Sequence, residues 1–111
     1  MLIFPTRCRL RQRTQFEQAL RVKPLINPWF AVHLQKNECG FSRLGIIASK
    51  RIMPKAVSRN FVKRLIREAF RQSFPRTMSL DVLVRARRQV TAEEAGEGRV
   101  ALLQLLQSVP A

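Results

Sequence analysis

The sequence is short of the side chains from which enzymes build active sites. Among its 111 residues there is one histidine, His33, and one aspartate, Asp81, and Asp plus Glu total only 7. No carboxylates cluster as a two-metal nuclease would require. Glu93, Glu94 and Glu97 sit in a loop or helix start, where they suit the positive end of a helix dipole. There is no glycine-rich phosphate loop, no zinc-ligand spacing, and no serine or cysteine in a recognisable nucleophile motif. The 2 cysteines, Cys8 and Cys39, have neither metal nor redox spacing and, with no export signal, read as reduced thiols. No run approaches the roughly 20 apolar residues of a membrane helix. Met1-Leu2-Ile3-Phe4 is too short for a signal peptide before Pro5 and Arg7. The expectation is a soluble, cytoplasmic chain that does not catalyse by itself.

What the chain has in excess is positive charge. Lys plus Arg total 21, giving a formal charge of +14 and a pI near 11.8. A compact domain with that charge repels itself unless a partner neutralises it. Basic pI with charge gathered on one helix is the electrostatic footprint of a nucleic-acid binder. The length allows one domain, residues 1–111, with a modest core, and the apolar fraction of 46% is ordinary for a folded protein.

The charge is concentrated between Pro54 and Pro75. Proline stands only near the start of a helix, so a helix of roughly four to five turns fits between the two. At about 100° per residue, Val62, Leu65, Ile66, Ala69 and Phe70 share one face. Asn60, Lys63, Arg64, Arg67 and Arg71 fall within about 100° on the other, interrupted only by Glu68. Arginine outnumbers lysine there, which favours planar, bidentate phosphate recognition over mere solubility.

Around this helix the chain alternates. Thr14 with Glu17 is a capping-box pattern that opens a short helix carrying Phe16, Ala19 and Leu20. Prolines and Asn27 leave room for a short edge strand between Val22 and Ile26. Residues 29–35 read as a strand with Phe30, Val32 and Leu34 on one face and Trp29, Ala31 and His33 on the other. After a turn, residues 43–49 form a second strand, antiparallel to the first, in which Leu44, Ile46 and Ala48 alternate with Gly45, Ile47 and Ser49. Leu80 to Ala86 is a third strand, followed by Arg87-Arg88. Thr91 caps a helix start, Gly96 and Gly98 weaken its middle, and a leucine-rich helix closes the chain near Pro110. Strand–helix–strand implies a crossover onto a parallel neighbour, hence an α/β two-layer domain with a small mixed sheet. General chirality would make that crossover right-handed.

The string Lys-Ala-Val-Ser-Arg-Asn-Phe-Val-Lys-Arg-Leu-Ile-Arg-Glu-Ala-Phe-Arg, residues 55–71, closely resembles the signature of the bacterial ribonuclease P protein subunit. Phe4-Pro5, Arg9-Leu10, Phe16, Arg43-Leu44-Gly45, Ser49-Lys50-Arg51, Asp81-Val82-Leu83-Val84 and Ala86-Arg87 extend the resemblance over nearly the whole chain. It implies a small basic protein that joins a catalytic RNA to remove the 5′ leader of precursor tRNA by metal-dependent phosphodiester hydrolysis. Mg2+ would be held by the RNA subunit and substrate phosphates, with no metal bound tightly by the protein, no obligate protein partner and no membrane. The fold implied is an α/β sandwich whose crossover is left-handed, against the general rule.

By the same resemblance, Arg59, Asn60, Lys63, Arg64 and Arg67 contact the catalytic RNA, with Lys50, Arg51, Lys55 and Arg71 extending that surface. Phe16, Leu20, His33 and Ile47 match a cleft for the single-stranded leader, and Trp29, Ala31, Gly45 and Ser49 join them by strand alternation. Apolar and aromatic groups beside cations suit a leader of variable sequence, because stacking tolerates any base. Two positions depart from the family pattern. Phe61 stands where an arginine is expected, and Met53-Pro54 replaces a glycine before the helix. The rival readings are a ribosomal-type RNA-binding protein using the same helix, and a stand-alone nuclease with His33 as its base.

Overall fold

The alternating stretches become four strands and the long periodic ones two helices in the computed structural model, which describes residues 23–37, 40–73 and 80–108. In chain order these are β1 (Leu25–Ile26), β2 (Phe30–Lys36), β3 (Arg43–Ile47), α1 (Ala56–Ser73), β4 (Leu80–Ala86) and α2 (Ala95–Gln107). The expected short helix with Phe16 and Leu20, and both cysteines, lie outside the described residues.

The sheet order is β1-β2-β4-β3. Antiparallel β2 and β4 are in register from Phe30 opposite Ala86 to Lys36 opposite Leu80. Strand β3 runs parallel to β4, from Arg43 beside Asp81 to Ile47 beside Arg85. The crossover through α1 onto a parallel neighbour is therefore present. The two strands expected to face each other across a turn do run in opposite directions, but they are not neighbours, because β4 is inserted between them.

One face of the sheet carries Phe30, Val32, Leu44, Val82 and Val84, which share a single buried core with Val62, Ile66, Ala69 and Phe70 of α1 and with Leu102 and Leu106 of α2. Leu65 is only partly buried against that core. The other face holds cross-strand rows set by the register. Ala31, Arg85 and Ile47 form one, His33, Leu83 and Gly45 the next, and Gln35, Asp81 and Arg43 the third. Ala31 and Leu83 are fully buried, and His33 is 4% exposed.

Side-chain hydrogen bonds fix the joints. Asp81, at the start of β4, accepts from Arg43 Nε at 2.7 Å, Arg43 Nη2 at 2.8 Å and Asn37 Nδ2 at 2.8 Å. This ties the loop after β2 and the start of β3 to the strand between them. Gly40, with φ at 78°, makes the turn in that loop, where a side chain would be strained. Asn27 Oδ1 accepts from the backbone N–H groups of Trp29 and Phe30, and its amide donates to the Ala101 carbonyl of α2.

Ahead of α2, the Glu94 N–H donates to Thr91 Oγ1 at 3.2 Å, and Glu94 Oε1 accepts from the Thr91 N–H at 3.3 Å, a reciprocal capping box. That backbone bond, helped by the Thr91 hydroxyl and the Arg88 guanidinium, holds the Glu94 carboxyl below its ordinary value. Thr91 thus closes the turn that leads into α2, while the N-cap of the helix itself is Glu94, which makes no side-chain cap bond. Gly96 and Gly98, however, fall in the first turn of one helix instead of weakening its middle. A Cβ on Gly98 would sit 3.1 Å from Val90 and 3.4 Å from the Trp29 ring, so its absence is what lets α2 approach them.

Candidate nucleic-acid interface

Prolines and periodicity place α1, and its buried stripe decides which way it turns. With Val62, Ile66, Ala69 and Phe70 inward, the opposite side presents Asn60 and Arg64 exposed and Lys63, Arg67 and Arg71 partly exposed. Among the described residues neither Lys63 nor Arg64 forms a salt bridge. Two carboxylates among the described residues are held away from α1, Asp81 by Arg43 and Glu94 by Arg88. Lys63, Arg64, Arg67 and Arg71 thus crowd one side with Glu68 the single acid of the helix, at a cost in mutual repulsion that an approaching polyanion would relieve.

The segment leading into α1 adds to this surface. Lys50, Arg51 and Lys55 are exposed on it. A tight turn holds it, with the Met53 N–H donating to the Ser49 carbonyl at 2.9 Å and the Ile52 N–H to Ser49 Oγ at 3.3 Å. Arg59 differs from its neighbours. Its Nη1 donates to the carbonyls of Met53 at 3.0 Å and Pro54 at 2.8 Å, so part of this side chain fastens the loop to the helix. Fully buried Met53 pins the same loop from beneath.

Phe61 is half-buried and packs against the edge of the core. It also lines a groove of about 330 Å³ between the helices, with Arg64, Leu65, Glu68, Ala95, Gly96 and Arg99. Across the groove's end, Arg99 donates to Gln72.

The sheet face away from the helices gathers Ala31, His33, Gly45 and Ile47 as the alternation predicts. Ala31, His33 and Gly45 are buried there and form a floor, whereas Ile47 and Ser49 keep part of their surface. Trp29 does not belong to this face. It precedes β2, and the Asn27 turn swings its ring to the helical side, against Gly98 and under Arg88, whose guanidinium lies 4.0 Å from the ring centroid. Strand alternation cannot be extended past the point where the strand begins. A residue not singled out in the sequence, Arg85, takes a place on the face instead. It lines a recess of about 320 Å³ with Ile47, Ser49, Arg51, Ile52 and Ala86. Its signal was the alternation Asp81, Leu83, Arg85, hidden beside the conspicuous Arg87-Arg88 pair.

Among the described residues no three His, Cys, Asp or Glu side chains converge as metal ligands, and no helix is long and apolar enough to cross a membrane. Fold and surface together define a small two-layer α/β protein with a concentrated basic face on one helix.

Comparison with known proteins makes the class specific. The family model for ribonuclease P matches residues 4–109. The ribonuclease P protein component of Nitrosomonas eutropha is 35% identical over 94 residues, which cover 82% of this chain and 78% of that protein. That of Nitrosomonas europaea is 36% identical over 87 residues, covering 78% and 73%. Among solved structures, the ribonuclease P protein of Thermotoga maritima aligns with a TM-score of 0.72 at 31% identity, covering 93% of this chain and 98% of its own. A Staphylococcus aureus ribonuclease P protein mutant aligns with a TM-score of 0.77 at 27% identity, covering 91% and 86%. The chain belongs to the ribonuclease P protein family, as a protein component of the tRNA-processing endoribonuclease that works with an RNA subunit.

Proposed function

We propose that the basic face of α1 and the loop before it bind the RNA subunit, and that the far face of the sheet receives the single-stranded 5′ leader of precursor tRNA. The observation that carries this reading is the side of α1 bearing Lys63, Arg64, Arg67 and Arg71 opposite its buried stripe. Arginine forks match phosphate oxygens in pairs, and Arg64, Arg67 and Arg71, at i, i+3 and i+7 with Lys63 beside them, would follow a backbone without reading its sequence. Exposed Asn60 within the row supplies a donor and an acceptor for a sugar or base edge.

Catalysis in this reading belongs to the RNA, with Mg2+ held by RNA phosphates. Asp81 is committed to Arg43 and Asn37, and Glu94 to Thr91 and Arg88, so neither is offered to a metal. The chain's own residues bind, screen phosphate repulsion and orient the substrate. His33, at 4% exposure, is poorly placed to serve as a stand-alone nuclease base. The protein would act in the cytoplasm, where precursor tRNA is made.

The test is reconstitution at low magnesium with the RNA alone, the protein alone, and both. The expected outcome is leader removal with both and none with protein alone. Cleavage in the protein-only tube would overturn the assignment of chemistry to RNA. Arg64→Ala should weaken RNA-subunit binding and reduce its salt dependence by about 0.7–0.9 in log–log slope, the signature of one lost phosphate contact.

A further inference from the structure

We propose that Arg85, with Arg51, holds a backbone phosphate of single-stranded RNA in the recess where β3 and β4 end. This deepens the leader reading above and rests on it.

Arg85 is a half-buried cation whose side chain forms no hydrogen bond or ion pair with the other described residues. Its Nε is buried without a hydrogen-bond partner, and among the described residues its side chain makes no ion pair. Its cross-strand neighbours are Ala31 on one side and Ile47 on the other, neither of which has an acceptor in its side chain. The nearest acid along its own strand on this face is Asp81, four residues away or about 13 Å at strand rise. Asp81 already accepts three hydrogen bonds, two from Arg43 and one from Asn37. A buried donor left unsatisfied is a standing cost to the fold, and folded proteins rarely keep one without a use.

The recess supplies that use. Its described lining has two guanidinium-bearing residues, Arg51 and Arg85, the Ser49 side chain, and the apolar Ile47, Ile52 and Ala86, with no carboxylate. Two cations without an acid select an anion, and a planar guanidinium suits phosphate oxygens in particular. The described lining offers guanidinium donors and no aromatic ring on which a base would stack, so the group these residues fit is the phosphodiester rather than the base. The position is also apt. Arg51 belongs to the loop that enters α1, so the recess joins the sheet face to the basic helix, and a strand lying on the sheet would pass it on the way to the RNA subunit.

The structure makes an unusual demand of this residue, because stability and binding should move in opposite directions. The test uses the assembled holoenzyme with precursor and mature tRNA, and thermal unfolding of the free protein. For Arg85→Leu, which removes the unsatisfied donor and keeps the bulk, the melting temperature should rise by about 4 °C. Precursor binding should weaken about tenfold, the weight of one charge-assisted contact, with mature tRNA unchanged and the salt slope for precursor lower by about 0.7. Replacing leader phosphates one at a time by neutral methylphosphonates in the unmutated enzyme should find one position that reproduces the loss and adds nothing to Arg85→Leu. A lower melting temperature with unchanged precursor binding would make Arg85 merely structural and overturn the proposal. Equal losses for both tRNAs, or no sensitive phosphate, would overturn it as well. If the unmutated enzyme bound both tRNAs alike, the leader reading itself would fall first.

Discussion

A single carboxylate joins three parts of the chain. Asp81 on β4 receives Arg43 from β3 and Asn37 from the loop after β2, at 5% exposure. Removing it leaves the Arg43 guanidinium, itself largely buried, without its carboxylate, a loss of about 3 kcal/mol. Asp81→Ala should therefore lower the urea midpoint of unfolding sharply. Glu94 gives a smaller, pH-dependent effect. Its carboxyl lies below its ordinary value of 4.5 chiefly through the Thr91 N–H. A depressed native value means a contribution present above the unfolded value and lost as pH falls through the native one. The stability gap between the parent chain and Glu94→Gln should be visible near pH 7, shrink below about pH 4.5 and vanish in stronger acid, as followed by thermal melts. Arginines on the same helix also divide. Arg59→Ala, which frees the Met53 and Pro54 carbonyls, should cost about 1 kcal/mol of stability, whereas Arg64→Ala should stay within about 0.5 kcal/mol.

At the scale of elements, α1 has one side for folding and another for binding, and substitutions should separate them. Ile66→Ala, in the fully buried stripe, should cost about 2–5 kcal/mol in chemical denaturation while leaving salt-dependent RNA affinity unchanged in the folded fraction. Lys63→Ala should do the reverse. This division was legible in the sequence because two prolines bracket the segment and its period is unambiguous; the helix runs Ala56–Ser73 between them. The bounds of β4, Leu80–Ala86, were legible for a similar reason, a short apolar run centred on Val82-Leu83-Val84 and ending at paired arginines. Which strands touch was not legible. Alternation reports the face a residue takes, never the neighbour its strand chooses, so the insertion of β4 between β2 and β3 had no local signal. Trp29 failed on a related point, since the Asn27 side chain ends the alternation one residue before β2. Arg85 lies within the same alternation as Asp81 and Leu83, but beside the Arg87-Arg88 pair its charge carries no separate signal.

For the molecule as a whole, the formal charge of +14 sets two responses to salt in opposite senses. Screening relieves self-repulsion, so the free protein should melt at a higher temperature as ionic strength rises from about 0.01 M to about 0.2 M. The same change should weaken its hold on RNA, through the counterions that binding releases. A calorimetric melt and a filter-binding titration in matched buffers would show both trends. If the free protein were indifferent to salt, the basic face would have to be neutralised from within.

The order β1-β2-β4-β3 has a consequence in time. The ribosome delivers the outer strands before the one that must lie between them, so a half-made chain owns both sides of a seam and lacks the stitch. Nascent chains arrested short of Leu80 should be cut readily by protease, and resistance should appear abruptly once β4 clears the exit tunnel. A protein that matures tRNA would thus depend, in its own synthesis, on translation carrying through to its last third.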